Sequence, residues 1–221
     1  MKKYNVVKLE NNQESLVADW NASFWEAAEE ALINNYCEES MTFDVKSKIK
    51  LQYSVRGLYG IFHSEESAIR AEIKDHNSGS CNDSCVEFFI KPNDLTVGYL
   101  NFEFTPLGFV HCSHVIDWHR LNGALNERIL LPIEDIKSLK VVSSFNGKSS
   151  QRSWSLAFFI PFKLLQKYFD FDENNLSDDN NWTANFYKCG DKTEKPHWIS
   201  WNPVYELNFH LPECFGKLNF K

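Results

Sequence analysis

Val86-Glu87-Phe88-Phe89-Ile90 and, a few residues on, Tyr99-Leu100-Asn101-Phe102-Glu103-Phe104 carry the clearest pattern in the chain. In the first stretch, Val86, Phe88 and Ile90 share a face and leave Glu87 and Phe89 on the other. In the second, Leu100, Phe102 and Phe104 oppose Tyr99, Asn101, Glu103 and Thr105. Successive side chains of a strand point to opposite faces, so this period of two predicts strands with one apolar face. The pattern recurs outward in both directions. Ile49, Leu51, Tyr53 and Val55 form one such face, and Trp154, Leu156, Phe158 and Ile160 another. Trp182, Ala184 and Phe186 oppose Thr183, Asn185 and Tyr187, while Leu58-Tyr59-Gly60-Ile61-Phe62 reads as a short central strand. Pro92, Pro106, Asn122-Gly123 and Asn146-Gly147 punctuate the strands. Together they predict an all-β protein, an antiparallel β-sandwich of jelly-roll or immunoglobulin-like kind with one or two short helices.

The helical signals are few. Residues 20–33 read as a short helix leading into a strand, with Ser23 as its cap and Glu26 completing a capping box. Pro161 to Tyr168 reads as a second helix, with the proline in its first turn. With neither an internal repeat nor a Pro- or Gly-rich linker, residues 1–221 read as one domain, a length that sandwiches reach.

Composition excludes several classes. A net charge of −7 argues against nucleic acid, whose phosphates need clustered Lys and Arg. No run of about 18 apolar residues exists to cross a membrane. The start, Met1 to Lys8, is basic but lacks the apolar core of a signal peptide, so the chain as it stands reads as cytoplasmic. A periplasmic or secreted place is the expectation for a chain trimmed at its start. Aromatic residues are abundant, with 18 Phe, 8 Tyr and 7 Trp, which suits strands and supplies flat apolar rings.

Six cysteines raise the question of metal. Cys81 and Cys85 form a C-x₃-C pair, and His111 and His114 flank Cys112. A zinc site would need those pieces to converge, and no C-x₂-C completes one, so reduced, buried thiols are the expectation. The acidic, Asn-rich stretch from Asp170 to Asn181 reads as an exposed loop. Its carboxylates and amides suit calcium, but their spacing matches no defined calcium loop.

Four blocks, in order, resemble the family 9 carbohydrate-binding modules, most closely a branch found as stand-alone proteins of Bacteroides-type bacteria. They are Asp83 to Ile90, Tyr99 to Phe104, Trp154 to Phe162, and Trp182 to Lys188 continuing through Trp198-Ile199-Ser200-Trp201-Asn202-Pro203 to Leu218. The Trp20–Trp25 region matches the family's start. The resemblance implies a non-catalytic module associated with polysaccharide breakdown. Its concave face would hold the end of a mono- or oligosaccharide between two aromatic rings, with polar side chains reading the hydroxyls and structural calcium in some members.

Carried over by position, Glu87 ends an Asp-Ser-x-Val-Glu motif and matches a sugar-contacting acid. Tyr99, Asn101 and Glu103 lie on a strand that contributes polar contacts. Tyr187 falls where the family has a Gln, Lys195 near a basic residue, and Phe209 at one of the two ring positions. The other ring position falls at Cys81 or a neighbour, where no Trp stands, so Trp118, His119 or Trp198 would have to supply the second wall. Trp118 lies in a polar run between Asp117 and His119-Arg120 and reads as an exposed platform. Trp201 reads as core or rim, and Trp154 and Trp182 as core. Asn185 reads either as a ligand or as a bond to a neighbouring turn. Arg56 reads as a partner of Glu87 or Glu103 across the sheet, or as a sugar contact.

Two other functions fit parts of the pattern. Paired Glu87 and Glu103 would suit a glycoside hydrolase, although no acid stands in an obviously apolar setting that would raise its pKa. A haem-binding sandwich needs a Met and a His, and the chain offers only Met1 and Met41. Triad, P-loop and dinucleotide-turn patterns do not appear.

Overall fold

The computed structural model describes residues 1–9, 16–148, 150–177 and 181–221. Its strands are β1 (Lys3–Lys8), β2 (Glu30–Ile33), β3 (Asn35–Tyr36), β4 (Lys46–Ser54), β5 (Gly57–Glu65), β6 (Cys85–Lys91) and β7 (Tyr99–Phe104). They continue with β8 (Val110–Leu121), β9 (Ala124–Leu130), β10 (Lys140–Ser143), β11 (Ser153–Pro161), β12 (Thr183–Cys189), β13 (Trp198–Ser200) and β14 (Gly216–Phe220). Two single-turn helices, α1 (Ile133–Ile136) and α2 (Phe162–Leu165), complete the regular structure beside short 3-10 turns.

The strands form two layers. One runs β14-β12-β6-β7-β8-β9, and the other runs β10-β11-β5-β4 with β2 beside β4. The pairs within each layer are antiparallel, as the alternation predicted. β1 departs from that rule. Its first residues pair parallel with β14 and its last two parallel with β4, so one strand joins the layers along an edge.

Between the layers lies a stack of rings. Phe158 of β11 faces Phe104 of β7 at 5.0 Å and Phe88 of β6 at 5.7 Å, both stacked. Phe88 in turn stacks on Phe186 of β12 at 5.6 Å. Gly60 of β5 pairs with Phe158, and a Cβ there would fall 2.2 Å from the Phe158 ring. The missing side chain is what lets the ring lie flat against the sheet. Trp154, Trp182 and Trp201 are all buried in this core. One charged residue lies on the same apolar face: Lys188 of β12 is fully buried, 3.5 Å from Glu66. Glu66 also accepts from Trp154 Nε1 at 2.8 Å and Ser84 at 2.6 Å, so the buried pair is satisfied from both layers.

Several local expectations are corrected. Val55 is exposed and lies in the turn after β4, where the strand pattern has already ended. Residues 20–33 hold a 3-10 turn at Ser23–Trp25, not a capped α-helix, and Ala22 precedes it without a side-chain cap. Trp25 is fully buried and donates to the Val17 carbonyl, which ties the segment down without helix. The second helix covers only Phe162–Leu165. Trp118 lies on β8 and is not in a loop. Asn122-Gly123 does turn the β8–β9 hairpin, both residues having the positive φ of a primed turn, 54° and 82°.

Replacing Phe158 by Ala removes the ring that both sheets share. It should cost about 3–5 kcal/mol in urea unfolding, the range for deleting a buried Phe; a loss below about 1 kcal/mol would mean the stack does not hold the layers together.

Candidate functional site

The strand register places the polar residues in rows on the outer, concave face of the β6 layer. Glu87 pairs with Glu103 on one side and Tyr187 on the other, and Glu103 pairs with His111. The next row holds Phe89, Asn101, Ser113 and Asn185. A further row holds Cys85 opposite Cys189, which in turn faces Trp198.

Much of this face is roofed. After β13 the chain crosses it, laying Phe209 on Tyr187 at 4.1 Å, His210 over Phe89 at 5.1 Å and Phe215 against Tyr99 at 5.2 Å. The roof is held by the Tyr187 hydroxyl, which donates to the Phe209 carbonyl at 3.0 Å, and by a 2.6 Å bond between the Tyr99 hydroxyl and His210 Nδ1. What stays open is a hollow of about 370 Å³. Glu87, Glu103 and Cys189 line its inner part, with Arg120 and Arg128 entering from β8 and β9. Asp191, Trp198, Asn208, Phe209 and His210 complete the wall, with Cys81 beside them.

Of the residues singled out from sequence, Glu87, Glu103 and Phe209 line this hollow, and Trp198 does so as the second ring. Tyr99 and Tyr187 lie under the roof as its support. Asn101 is fully buried, donating to Glu103 Oε1 at 2.8 Å and accepting from the Ser113 amide at 3.0 Å, so it orients the acid.

Five others stand elsewhere. Asn185 is buried and donates to the carbonyls of Asn202 and Cys214, anchoring the roof segment at both ends. Trp201 packs on Phe186 in the core. Lys195 is exposed and lies outside the hollow. Trp118 packs half-buried beside Tyr99 and does not line the hollow. Arg56 belongs to the opposite layer, over Phe159, far in register from either acid.

Sequence reasoning missed Arg120, Arg128, Asp191, Asn208 and His210. Arg128 was not legible, because β9 is almost wholly exposed with no alternation to read, and only the register sets Arg128 beside Val115, itself opposite Tyr99. The loop residues have no period to read.

The acids also differ from expectation. Burial, together with the neighbouring Glu103 carboxylate, pushes Glu87 well above the usual carboxylate range. Burial raises Glu103 to about 7, with Arg128 pulling the other way. Both side chains sit in a desolvated face that the strand pattern alone did not disclose. His111 is held down to about 4 and His210 to about 3, by burial and then by the arginines. The thiols are pushed up by burial, Cys85 to about 12.

The ion-binding expectations divide. His111 and His114 point to opposite faces of β8, so the histidine pair does not converge with Cys81 and Cys85. In the acidic stretch, Asp172 accepts from the Asn174 amide at 2.9 Å and from two Asn side chains, which turns it toward its own loop. Residues 178–180 of that stretch lie outside the described residues. Met41 is exposed in the loop before β4, and among the described residues no Met lines the hollow with His210 as a haem site of that kind would need.

A two-layer β fold with a polar, ring-lined hollow on its concave face defines a carbohydrate-binding module. The chain belongs to carbohydrate-binding family 9, whose sequence model matches residues 24–220. Its fold is similar to that of a candidate carbohydrate-binding protein from Bacteroides uniformis, with a TM-score of 0.81 at 24% identity over 100% of this chain and 99% of that one. It is also similar to a family 9 module from Caldicellulosiruptor kristjanssonii solved with cellotriose, at TM-score 0.67 and 14% identity over 100% and 94% of the two chains. The structure of a family 9 module from that organism with glucose gives 0.66 and 14%, over 100% and 96%. No curated protein matches the sequence.

The acids make a pH prediction. Glu103 binds its proton more tightly folded than unfolded, so its favourable contribution is complete below about pH 4.5 and is lost as the pH rises through about 7. Glu103→Gln should remove that loss, worth on the order of 3 kcal/mol, so that the variant gains on wild type between pH 5 and pH 8 in urea titrations. Parallel pH profiles for the two proteins would contradict a buried, raised acid.

Proposed function

We propose that the hollow beside Glu87 and Glu103 is the sugar site of this module and that it takes the end of a glucose-containing chain. The observation that carries the proposal is the meeting, in one hollow, of three acids, two arginines and an amide with the rings of Phe209 and Trp198. Rings cover the C–H faces of a pyranose, while Arg, Asp, Glu and Asn form paired hydrogen bonds to adjacent hydroxyls. Glucose and cellotriose, found with the Caldicellulosiruptor kristjanssonii modules, indicate the sugar class to try first.

Arg120 is held in place for this task, donating to the Gly123 carbonyl at 2.7 Å and to Asn208 at 3.3 Å. Among the described residues no carboxylate lies within ion-pair distance of Arg128, which leaves its donors for a ligand. Glu87 and Glu103 stand side by side in register on one sheet face. A hydrolase needs its two carboxyl groups to flank the bond being cut. The arrangement therefore favours holding a sugar over cleaving one.

A second hollow, about 350 Å³, lies at the β2 edge of the other layer, lined by Leu32, Ile33, Tyr36, Val45 and Lys48 among others. Glu30, Asn34, Lys46, His63 and Glu65 also line it, but neither a tryptophan nor a phenylalanine does, and the pair of rings that covers a sugar in the first hollow has no counterpart there.

Calorimetric titration with glucose, cellobiose, cellotriose and a panel of other monosaccharides tests the proposal. We expect saturable binding in the micromolar-to-millimolar range and no shortening of the oligosaccharides. Phe209→Ala should weaken binding about tenfold, the upper value of one lost ring contact. Silence across the panel, or equal affinity in the variant, would reject the site.

A further inference from the structure

Cys85, Glu87 and Cys189 form a cluster of which the proposed sugar site uses Glu87 but neither cysteine. Cys85 and Cys189 are directly opposed on β6 and β12, and Glu87 follows two residues after Cys85 on the same face. Their ligand atoms all lie within 4.8 Å of one another, and the three residues are 0%, 3% and 1% exposed in chain order. We propose that this cluster is a zinc site of the Cys₂Glu type, with its fourth position opening into the hollow.

The bonding of the cluster points to an ion. Glu87 is buried, yet the donor that reaches it is the Cys189 thiol, at 3.0 Å from Oε1. The Cys85 thiol reaches its neighbour's carbonyl, at 3.6 Å, and the Cys189 sulfur. A thiol is a weak donor, so these contacts satisfy a buried acid poorly. The same three atoms as metal ligands would be fully used. Zinc binds sulfur at about 2.3 Å and carboxylate oxygen at about 2.0–2.2 Å, which separates tetrahedral ligands by about 3.5–3.8 Å. The present separations, all within 4.8 Å, bracket that range with Cys189 Sγ 3.0 Å from Glu87 Oε1 at the short end. Two sulfurs select a soft or borderline ion and exclude calcium and magnesium, which require oxygen. Binding turns both thiols into thiolates, their protons passing to solvent.

Open access is provided by the hollow itself, since Glu87 and Cys189 line it together with Cys81 and Asp191. The zinc site shares Glu87 with the proposed sugar hollow, whereas Cys85 and Cys189 belong to the zinc site alone, so the two cysteines carry the test.

The test uses the full chain under reducing conditions. Zinc affinity is measured by competition with a chromophoric chelator, and cadmium replaces zinc to report thiolate ligation by its ultraviolet charge-transfer band. We expect one equivalent of metal, a band of two thiolates, and protection of two of the six cysteines from a thiol reagent. Cys85→Ser and Cys189→Ser should each weaken zinc by at least about tenfold, the smallest loss that changes around a metal's ligands already give. Cys112→Ser, in the core between the layers, should leave affinity unchanged. Wild-type protein without the band, or equal affinity in both serine variants, would overturn the site. If a serine variant does not fold, the wild-type band and the thiol count decide. Sugar titration of metal-free protein separates the two proposals, since it can succeed or fail whatever the zinc result.

Discussion

The ring stack of Phe88, Phe104, Phe158 and Phe186 is the contact on which both halves of the molecule depend. Burying those rings between the layers fixes the phase of β6, β7 and β12. Side chains alternate strictly, so a strand that turns Phe88 inward must turn Glu87 outward, and one that buries Phe102 and Phe104 must present Glu103. A slip of one residue would bury the acids in the core and expose the phenylalanines. The hydrophobic energy of the core therefore also positions the polar row of the concave face.

That row does not become an open platform. The segment after β13 lies across it, and Asn185, Tyr99 and Tyr187 use their polar groups to hold the segment down. Roofing has two effects. It confines the accessible part of the face to one hollow, and it withdraws water from Glu87 and Glu103, which raises both acids. Desolvated hydrogen-bonding groups discriminate more sharply than exposed ones, because a ligand that leaves one unpaired incurs its full desolvation cost.

Strand facing was legible because period two leaves a strong mark in 86–90, 99–104 and 154–160, whereas strand order was not, being set by long-range pairing. The outward facing of Glu87 and Glu103 followed from that mark, and their candidacy as site residues rested mainly on the family resemblance. The roof was not legible, since residues 203–215 contain no regular period and their packing depends on long-range contacts. For the same reason Asn185 and Tyr187 looked like candidate sugar contacts from their strand facing alone, whereas the first anchors the roof and the second lies beneath it. Lys188 broke the apolar face of its strand, and only the buried Glu66 in the other layer explains it. Arg128 required knowing which strand lies beside β8. Trp198 was named as one of three rings available for the second wall, and the structure selects it over Trp118 because β13 extends the edge of β12 beside the hollow.

If the roofed face leaves a single hollow for sugar, ligand must be felt there and nowhere else. Amide chemical-shift mapping by NMR during a glucose or cellotriose titration measures this over the whole chain. The account predicts saturating shifts clustered at Glu87, Glu103, Arg128, Asp191 and Phe209. Shifts centred instead on the β2 edge at Leu32, Ile33 and Lys48, or scattered without saturation, would contradict it.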